Sequence, residues 1–157
     1  AAGAAERAVE LADATQGLVA RIYARHLAAM SALEAGRADA AASWMDAARA
    51  LGEAPLPHRP WMDATEARAR LALGELDTAV RLATHAARNL DAAHVPDLAE
   101  LWILGAHALA LREAEHPDAD HALATLRDRV ATRLAELPEA LAASYRTRSE
   151  LRPFDLT

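Results

Sequence analysis

The densest group of side chains that could bind a metal ion lies in one predicted turn, His116-Pro117-Asp118-Ala119-Asp120-His121. Imidazole nitrogens and carboxylate oxygens are zinc ligands in proteins. Asp120, however, stands where the next predicted helix begins, and Asp at that position caps exposed backbone N–H groups. No second group with ligand spacing supports a metal. We therefore predict a helix cap at Asp120, with no metal and no cofactor.

The side chains that could act as nucleophiles or acid–base catalysts lack the surroundings that such chemistry needs. No serine stands in the Gly-x-Ser-x-Gly turn that exposes an activated hydroxyl, and the chain has no cysteine. No glycine-rich loop could bind phosphate groups. The carboxylates of Glu113 and Glu115 lie in or beside a turn, where water solvates them. The sequence therefore predicts a protein that is not an enzyme.

Charge and composition restrict the partners. The formal net charge is −6, and all 17 basic residues are Arg. An acidic chain is a poor candidate for nucleic acid, because phosphate neutralisation dominates that binding. The sequence has no apolar run of membrane-spanning length and no secretion signal at its start. We expect a cytoplasmic protein that binds neither nucleic acid nor membrane and, since its first residue is Ala, forms part of a longer protein.

The chain is 53% hydrophobic but only 4% aromatic. Ala, the most frequent apolar residue, has the highest helix propensity, while the β-branched and aromatic residues typical of strands are scarce. Glycine, proline and polar turns divide the chain into predicted helices at residues 4–14, 18–35, 39–51, 61–73, 77–92, 97–113, 120–137 and 138–151. The predicted fold class is therefore all-α, with about eight helices in one domain over residues 1–157.

Two segments of the chain repeat the same pattern. Gly36-x-x-Asp39-x-Ala41 matches Gly74-x-x-Asp77-x-Ala79, and each opens a helix with small residues along one face. A weaker third copy has Pro117, Asp120 and Ala122 in place of Gly, Asp and Ala. The spacing of about 38 to 43 residues predicts stacked helical hairpins, because one hairpin cannot bury its apolar faces alone.

This spacing divides the chain into helix pairs at residues 18–51, 61–92 and 96–137. Helix 4–14 is then the second helix of a truncated pair, and helix 138–151 caps the stack. We expect the end of the stack to be covered by Leu134, Leu137, Leu141 and Tyr145, with Phe154 folding back. The Arg-rich segment 127–152 contains interleaved acids, which favours a solvated, ion-paired face.

The two glycine motifs, together with Leu104-Gly105 and the nearby Trp102 in a first helix, resemble those of tetratricopeptide-type repeat arrays. The chain is most similar to the divergent arrays of large bacterial signalling proteins and ATP-dependent transcription regulators. The resemblance implies a right-handed superhelix of antiparallel helix pairs. It also implies that the first helices of the pairs line a concave face, where peptide or protein partners bind.

Carried over to this chain, the resemblance implies a groove lined by Tyr23, His26 and Met30, by Trp61, Thr65 and Arg68, and by Trp102, Ala106 and Leu109. The members of each trio share one helix face. Aromatic and Arg side chains often anchor interfaces, although Trp and Tyr on Ala-rich helices also serve as core. Trp44, on a second helix, is expected to pack between pairs.

The predicted function is a non-catalytic protein-interaction or regulatory module that binds a partner on the concave face. One alternative is a sensor with a small effector between Tyr23, Trp61 and Trp102. Another is a scaffold that self-associates through an apolar end left exposed by the truncated pair.

Overall fold

The computed structural model describes residues 2–15, 17–93, 97–146, 151 and 154. Within these ranges the chain is helical and forms no strand, which confirms the predicted all-α class. The α-helices are α1 (Ala2–Asp13), α2 (Leu18–Glu34), α3 (Ala38–Leu51), α4 (Arg59–Ala72), α5 (Leu76–Arg88), α6 (Leu90–Ala93), α7 (Asp97–Glu113), α8 (Ala119–Glu136) and α9 (Glu139–Arg146). Because α6 is a single turn, the described part of the chain has eight longer helices, as predicted.

Most helices begin and end close to the predicted residues. Helix α4 starts at Arg59, two residues early, because Pro60 occupies its first turn, where a missing N–H costs no hydrogen bond. The predicted helix 77–92 is divided after Arg88 by Asn89, and the short turn α6 follows. Within the predicted helix 138–151, α9 covers Glu139–Arg146, and residues 147–150 lie outside the described residues.

Three helical hairpins, α2–α3, α4–α5 and α7–α8, form the body of the fold. Helix α1 packs on α2, α3 packs on α4, and α5 packs on α7, so each hairpin continues onto the next. The first helices α2, α4 and α7 also contact one another in that order. Helix α4 therefore lies against α2, α3, α5 and α7, and both of the sites described below include its side chains.

The three hairpins share one turn geometry. Gly36, Gly74 and Glu115 each adopt the left-handed backbone conformation after the first helix, with φ of 70°, 80° and 51°. The N–H of the following residue then donates to a carbonyl five residues earlier, which closes a Schellman turn. These bonds are Arg37 to Ala32 (2.8 Å), Glu75 to Arg70 (2.9 Å) and His116 to Leu111 (2.9 Å).

The turn geometry corrects the third copy of the repeat. Glu115, and not Pro117, occupies the position of the two glycines, so the predicted alignment of Pro117 with them is wrong. The reason is a longer turn, since α8 begins four residues after Glu115, whereas α3 and α5 begin two residues after their glycine. The predicted match of Ala122 with Ala41 and Ala79 agrees with the structure, because each is the fourth residue of its helix and is buried.

Small side chains line the seam inside the first two hairpins. The fourth and eleventh residues of α3 and α5 are fully buried alanines, namely Ala41, Ala48, Ala79 and Ala86. The eighth residue is Met45 in α3 and Ala83 in α5, and both are fully buried. Helix axes usually lie about 8–10 Å apart, and methyl groups permit the lower end of that range. A longer side chain on α5 must therefore push the helices apart.

Two clusters supply most of the described core. The larger joins α4, α7 and α8 around Trp61, Trp102 and Leu126. The smaller joins α2, α3 and α4 around Met45 and other apolar side chains. Trp44 packs against the smaller cluster and also against a cluster on α1 and α2, in agreement with its predicted place between pairs.

The C-terminal cap agrees with the prediction only in part. Phe154 is buried in the larger cluster, and Leu134 and Tyr145 pack against that cluster. Leu141, however, is 56% exposed, so its predicted role in covering the stack is wrong. The reason is that α9 turns Ala142 towards the core. Neighbouring residues of a helix point about 100° apart, so Leu141 faces away from the core.

Two arginines of the Arg-rich segment, Arg129 and Arg133, form ion pairs. Arg129 and Arg133 lie 3.0 and 3.6 Å from the buried carboxylate of Glu100 on α7. Arg133 also lies 3.3 Å from Glu136. The pairs with Glu100 link α8 to α7.

Candidate functional site

The nine residues predicted to line a groove fall into two groups by exposure. Five are buried, with exposed fractions of 4% or less: His26, Trp61, Thr65, Trp102 and Ala106. Four are half-buried: Tyr23, Met30, Arg68 and Leu109. A partner at the surface can reach the side chains of the second group but not those of the first. Partner binding by the accessible four stays a prediction.

His26 and Thr65 form a buried link between α2 and α4. The Thr65 hydroxyl donates to the Trp61 carbonyl oxygen at 3.0 Å, so it accepts the proton of His26 Nε2 at 2.9 Å. This pairing assigns the neutral tautomer with the proton on Nε2. Burial, together with the nearby His58 and Arg49, lowers the pKa of His26 to about 3. His26 is therefore a neutral structural side chain at neutral pH.

The predicted aromatic residues of α2 and α4 pack on one another. The Trp61 ring lies edge-on to His26 and Tyr23, with ring centroids 5.0 and 6.3 Å apart. Tyr23 also contacts His58, at 5.2 Å between centroids. A small effector between Tyr23, Trp61 and Trp102 would have to separate rings that are already in contact.

An open cleft lies between the first helices, close to their C-terminal ends. Its volume is about 500 Å³, which is within the usual range of ligand pockets. It is lined by Leu33 of α2, Arg68, Leu71 and Ala72 of α4, Leu76 of α5, and Leu109 and Glu113 of α7. We call it the first-helix cleft. Four leucines give it an apolar wall, and Arg68 and Leu109 belong to the predicted set.

Arg68 is held in the first-helix cleft by Trp102. Its guanidinium carbon lies 3.9 Å from the centroid of the Trp102 ring. Such a cation–π contact contributes on the order of 1 kcal/mol. Trp102 thus reaches the cleft indirectly, because the buried ring fixes the Arg68 side chain at the cleft wall.

A second, charged cavity of about 670 Å³ lies between α3, α4 and α5, and we call it the α3–α5 cavity. Its charged lining includes Arg49, Arg59, Asp63, Glu66, Arg81 and His85. Asp63 is only 5% exposed and binds Arg49, and its Oδ2 lies 2.8 Å from His85 Nδ1. Arg49 Nε lies 3.1 Å from Glu66 Oε2. These contacts tie α4 to α3 on one side and to α5 on the other.

Arg49 keeps its charge inside this network. Burial is the largest single influence and lowers its pKa, but the charges of Asp63 and Glu66 together outweigh burial and raise the pKa above the usual value. A buried carboxylate needs such partners, because removing one leaves an uncompensated charge in a poorly solvated place. The network is therefore first of all a structural element of the fold.

The turn from His116 to His121 was predicted to hold a helix cap and no metal. Among the described residues, no group of three or more His, Asp or Glu is placed to hold an ion. His116 Nδ1 accepts a hydrogen bond from the Asp118 backbone N–H at 3.2 Å. Asp118, not Asp120, precedes α8, and its side chain makes no capping bond. The predicted cap at Asp120 is wrong, because α8 begins one residue earlier and includes Asp120 in its first turn.

Exposed apolar side chains occur mainly at the N-terminal end of the described chain. Leu11, Leu18, Val19 and Leu27 are 71%, 45%, 51% and 43% exposed.

None of the helices in the described ranges has both the length and the apolar character needed to cross a bilayer.

Sequence reasoning missed several residues of both sites. Leu33 and Leu71 stand three residues before Gly36 and Gly74, so a comparison of the two repeat copies could have identified them as equivalent lining positions. No comparable signal was available for Asp63 and His85, which lie in different helices and match no motif.

Comparison with known protein families, with curated proteins and with solved structures finds no match for this chain. The geometry of the two sites is therefore the basis for a functional proposal.

Proposed function

We propose that this chain is a non-catalytic interaction module that binds a peptide segment of a partner protein in the first-helix cleft. Its hairpins would form a right-handed superhelix of the tetratricopeptide type, within a larger bacterial regulatory protein of the cytoplasm. The observation that carries the proposal is the convergence of α2, α4 and α7 on one open cleft with leucine walls. The preferred ligand is a peptide whose apolar side chains enter between Leu33, Leu71 and Leu109.

The physical reason for this ligand is the combination of exposed apolar area and rigid backbone. Half-buried leucines still have apolar surface to bury, and each Å² removed from water contributes about 25 cal/mol. The cleft walls are helices packed on one another, so the cleft itself loses little conformational entropy when a peptide binds. Arg68, fixed by Trp102, can donate hydrogen bonds to peptide carbonyls at the edge of the apolar contact.

The experiment is selection of binding peptides from a random displayed library, followed by affinity measurement with the purified chain. Leu76→Glu places a charge in the cleft and is expected to weaken binding of the selected peptides by about tenfold or more. The matched control is Leu27→Glu, because Leu27 is 43% exposed and Leu76 is 39% exposed, but only Leu76 lines the cleft.

The outcome that contradicts the proposal is equally specific. Selected peptides that bind both variants as tightly as the parent chain, or that lose affinity equally in both, do not occupy the cleft. Failure to enrich any peptide whose binding depends on Leu76 also counts against it.

A second candidate is self-association, favoured by the exposed apolar side chains of α1 and α2. Leu11 and Val19 are 71% and 51% exposed, so a second copy that covered them would remove apolar surface from water. Sedimentation equilibrium across a concentration series tests this candidate. A dimer that dissociates in the double variant Leu11→Glu, Val19→Glu supports it, and a monomer at all concentrations contradicts it.

A further inference from the structure

We propose that the α3–α5 cavity binds a small-molecule oxyanion, a phosphate or carboxylate group, between Arg81 and His85. This inference does not depend on peptide binding in the first-helix cleft. On sequence grounds, one alternative function is a small-effector sensor with its effector between Tyr23, Trp61 and Trp102. We place a small ligand instead in a cavity of about 670 Å³, a volume typical of metabolite pockets.

The carboxylates that line the cavity are all paired with basic groups, whereas one of its arginines is paired with no described residue. Each lining carboxylate already has a basic partner: Glu53 pairs with Arg59, Asp63 with Arg49 and His85, and Glu66 with Arg49 and Arg70. Arg81, in contrast, is exposed and makes no ion pair or hydrogen bond with any described residue. A cationic ligand would have to compete with the existing pairs, whereas an oxyanion meets an uncommitted guanidinium that matches its geometry.

Arg81 and His85 face the same side of α5. Four residues separate them, so their side chains are neighbours on the helix surface, and both line the cavity. Asp63 orients the imidazole, because its Oδ2 lies 2.8 Å from His85 Nδ1 and its own side chain is only 8% exposed. The second ring nitrogen, Nε2, has no partner among the described residues and is the one available to a ligand.

The orientation of His85 gives the site a second contact point. With Nδ1–H donated to Asp63, Nε2 accepts the proton of a hydroxyl on hydrogen phosphate or, in the imidazolium form, donates to an oxyanion. Arg81 supplies the charge and the forked donors one turn away. Asp63 is itself held by Arg49, so the carboxylate that orients the ring is fixed before a ligand arrives.

The experiment is isothermal titration of the full chain with inorganic phosphate and, separately, with succinate, in chloride buffer at constant ionic strength. We expect saturable binding of at least one of the two anions, and Arg81→Gln is expected to weaken it by about tenfold or more. The matched control is Arg88→Gln, which removes another exposed arginine of α5 that does not line the cavity. This control is expected to leave the affinity unchanged.

The comparison of the two anions distinguishes phosphorylated from carboxylated ligands. Arg81 is exposed and unpaired with the described residues, so R81Q is expected to retain the fold, and its unfolding temperature without ligand verifies this. The inference is overturned if neither anion binds saturably. It is also overturned if R81Q binds as tightly as the parent chain, or if R88Q weakens binding as much as R81Q, since only non-specific attraction to arginine would then remain.

Discussion

The buried His26 makes the stability of this fold depend on pH. Burial lowers its pKa to about 3 in the folded chain, whereas the unfolded chain titrates near the ordinary value of 6.5. Below pH 6.5 the unfolded state therefore binds a proton that the native state does not, and the free energy of unfolding falls as the pH falls. Each pH unit costs about 1.4 kcal/mol, so His26 alone removes about 2 kcal/mol by about pH 5. Well above pH 6.5 both states are unprotonated at His26, and its contribution no longer changes with pH.

The assay is urea unfolding, followed by far-UV circular dichroism, across a pH series from neutrality to about pH 5. Other groups titrate over the same range, including His107, whose pKa is lowered by burial and by the nearby Arg88. The comparison is therefore made with His26→Gln, whose amide N–H can still donate to Thr65 but does not titrate. We expect the parent chain to lose about 2 kcal/mol more than H26Q between neutral pH and about pH 5.

One result would refute this reasoning. If the parent chain and H26Q lose equal stability over that pH range, His26 takes up a proton in the native state as readily as in the unfolded state. The buried hydrogen bond to Thr65 would then not describe the side chain in solution.

Three further predictions follow from the turns, the seam and the ion pairs, and urea unfolding measures each. Glu115→Gly is expected to stabilise the fold by about 0.5–1 kcal/mol, because glycine adopts the positive φ at that turn without strain; unchanged or lower stability contradicts this. Ala83→Leu is expected to destabilise it by about 1–3 kcal/mol by overpacking the seam, whereas the exposed control Ala50→Leu changes it by less than about 0.5 kcal/mol. Asp63→Asn is expected to cost about 2 kcal/mol, because the buried carboxylate loses its charge-assisted hydrogen bonds to Arg49 and His85, while the exposed control Asp46→Asn costs less than about 1 kcal/mol. If the buried-site variant and its exposed control lose equal stability, in the alanine pair or in the aspartate pair, the prediction for that pair is contradicted.

The positions of the helices could be predicted from the sequence because they depend on local chemistry. Gly36 and Gly74 adopt a backbone conformation that other residues avoid, and both end a helix where predicted. The third hairpin turn has the same geometry but uses Glu115 at that position, so no glycine marks it. A prediction from local propensity therefore misaligned the third repeat copy. The packing of α7 on α8 imposes a positive φ on Glu115, a conformation that glutamate does not favour.

The site was harder to predict because helical periodicity shows which residues share a face but not which neighbour that face meets. This chain has few large apolar side chains, and burying a tryptophan removes more apolar surface from water than burying an alanine. Trp61 and Trp102 are therefore buried in the core. The contact of Asp63 with His85 depends on the register between α4 and α5, which no local pattern determines. Arg68 lines the first-helix cleft because its side chain is long enough to extend from a buried tryptophan to the surface, and its role in partner binding stays a prediction.

The two proposed sites lie on different faces of α4, and this placement predicts that both can be occupied together. Asp63 and Glu66 face the α3–α5 cavity, whereas Arg68 and Ala72 lie on the other side of the helix and face the first-helix cleft. We expect saturating phosphate to leave the stoichiometry of peptide binding unchanged. Any change in peptide affinity must be matched by an equal change in phosphate affinity when peptide is bound, because coupling between sites is reciprocal. Competition, in which phosphate abolishes peptide binding, would mean that the two ligands share one surface, and at least one of the two sites would then be misplaced.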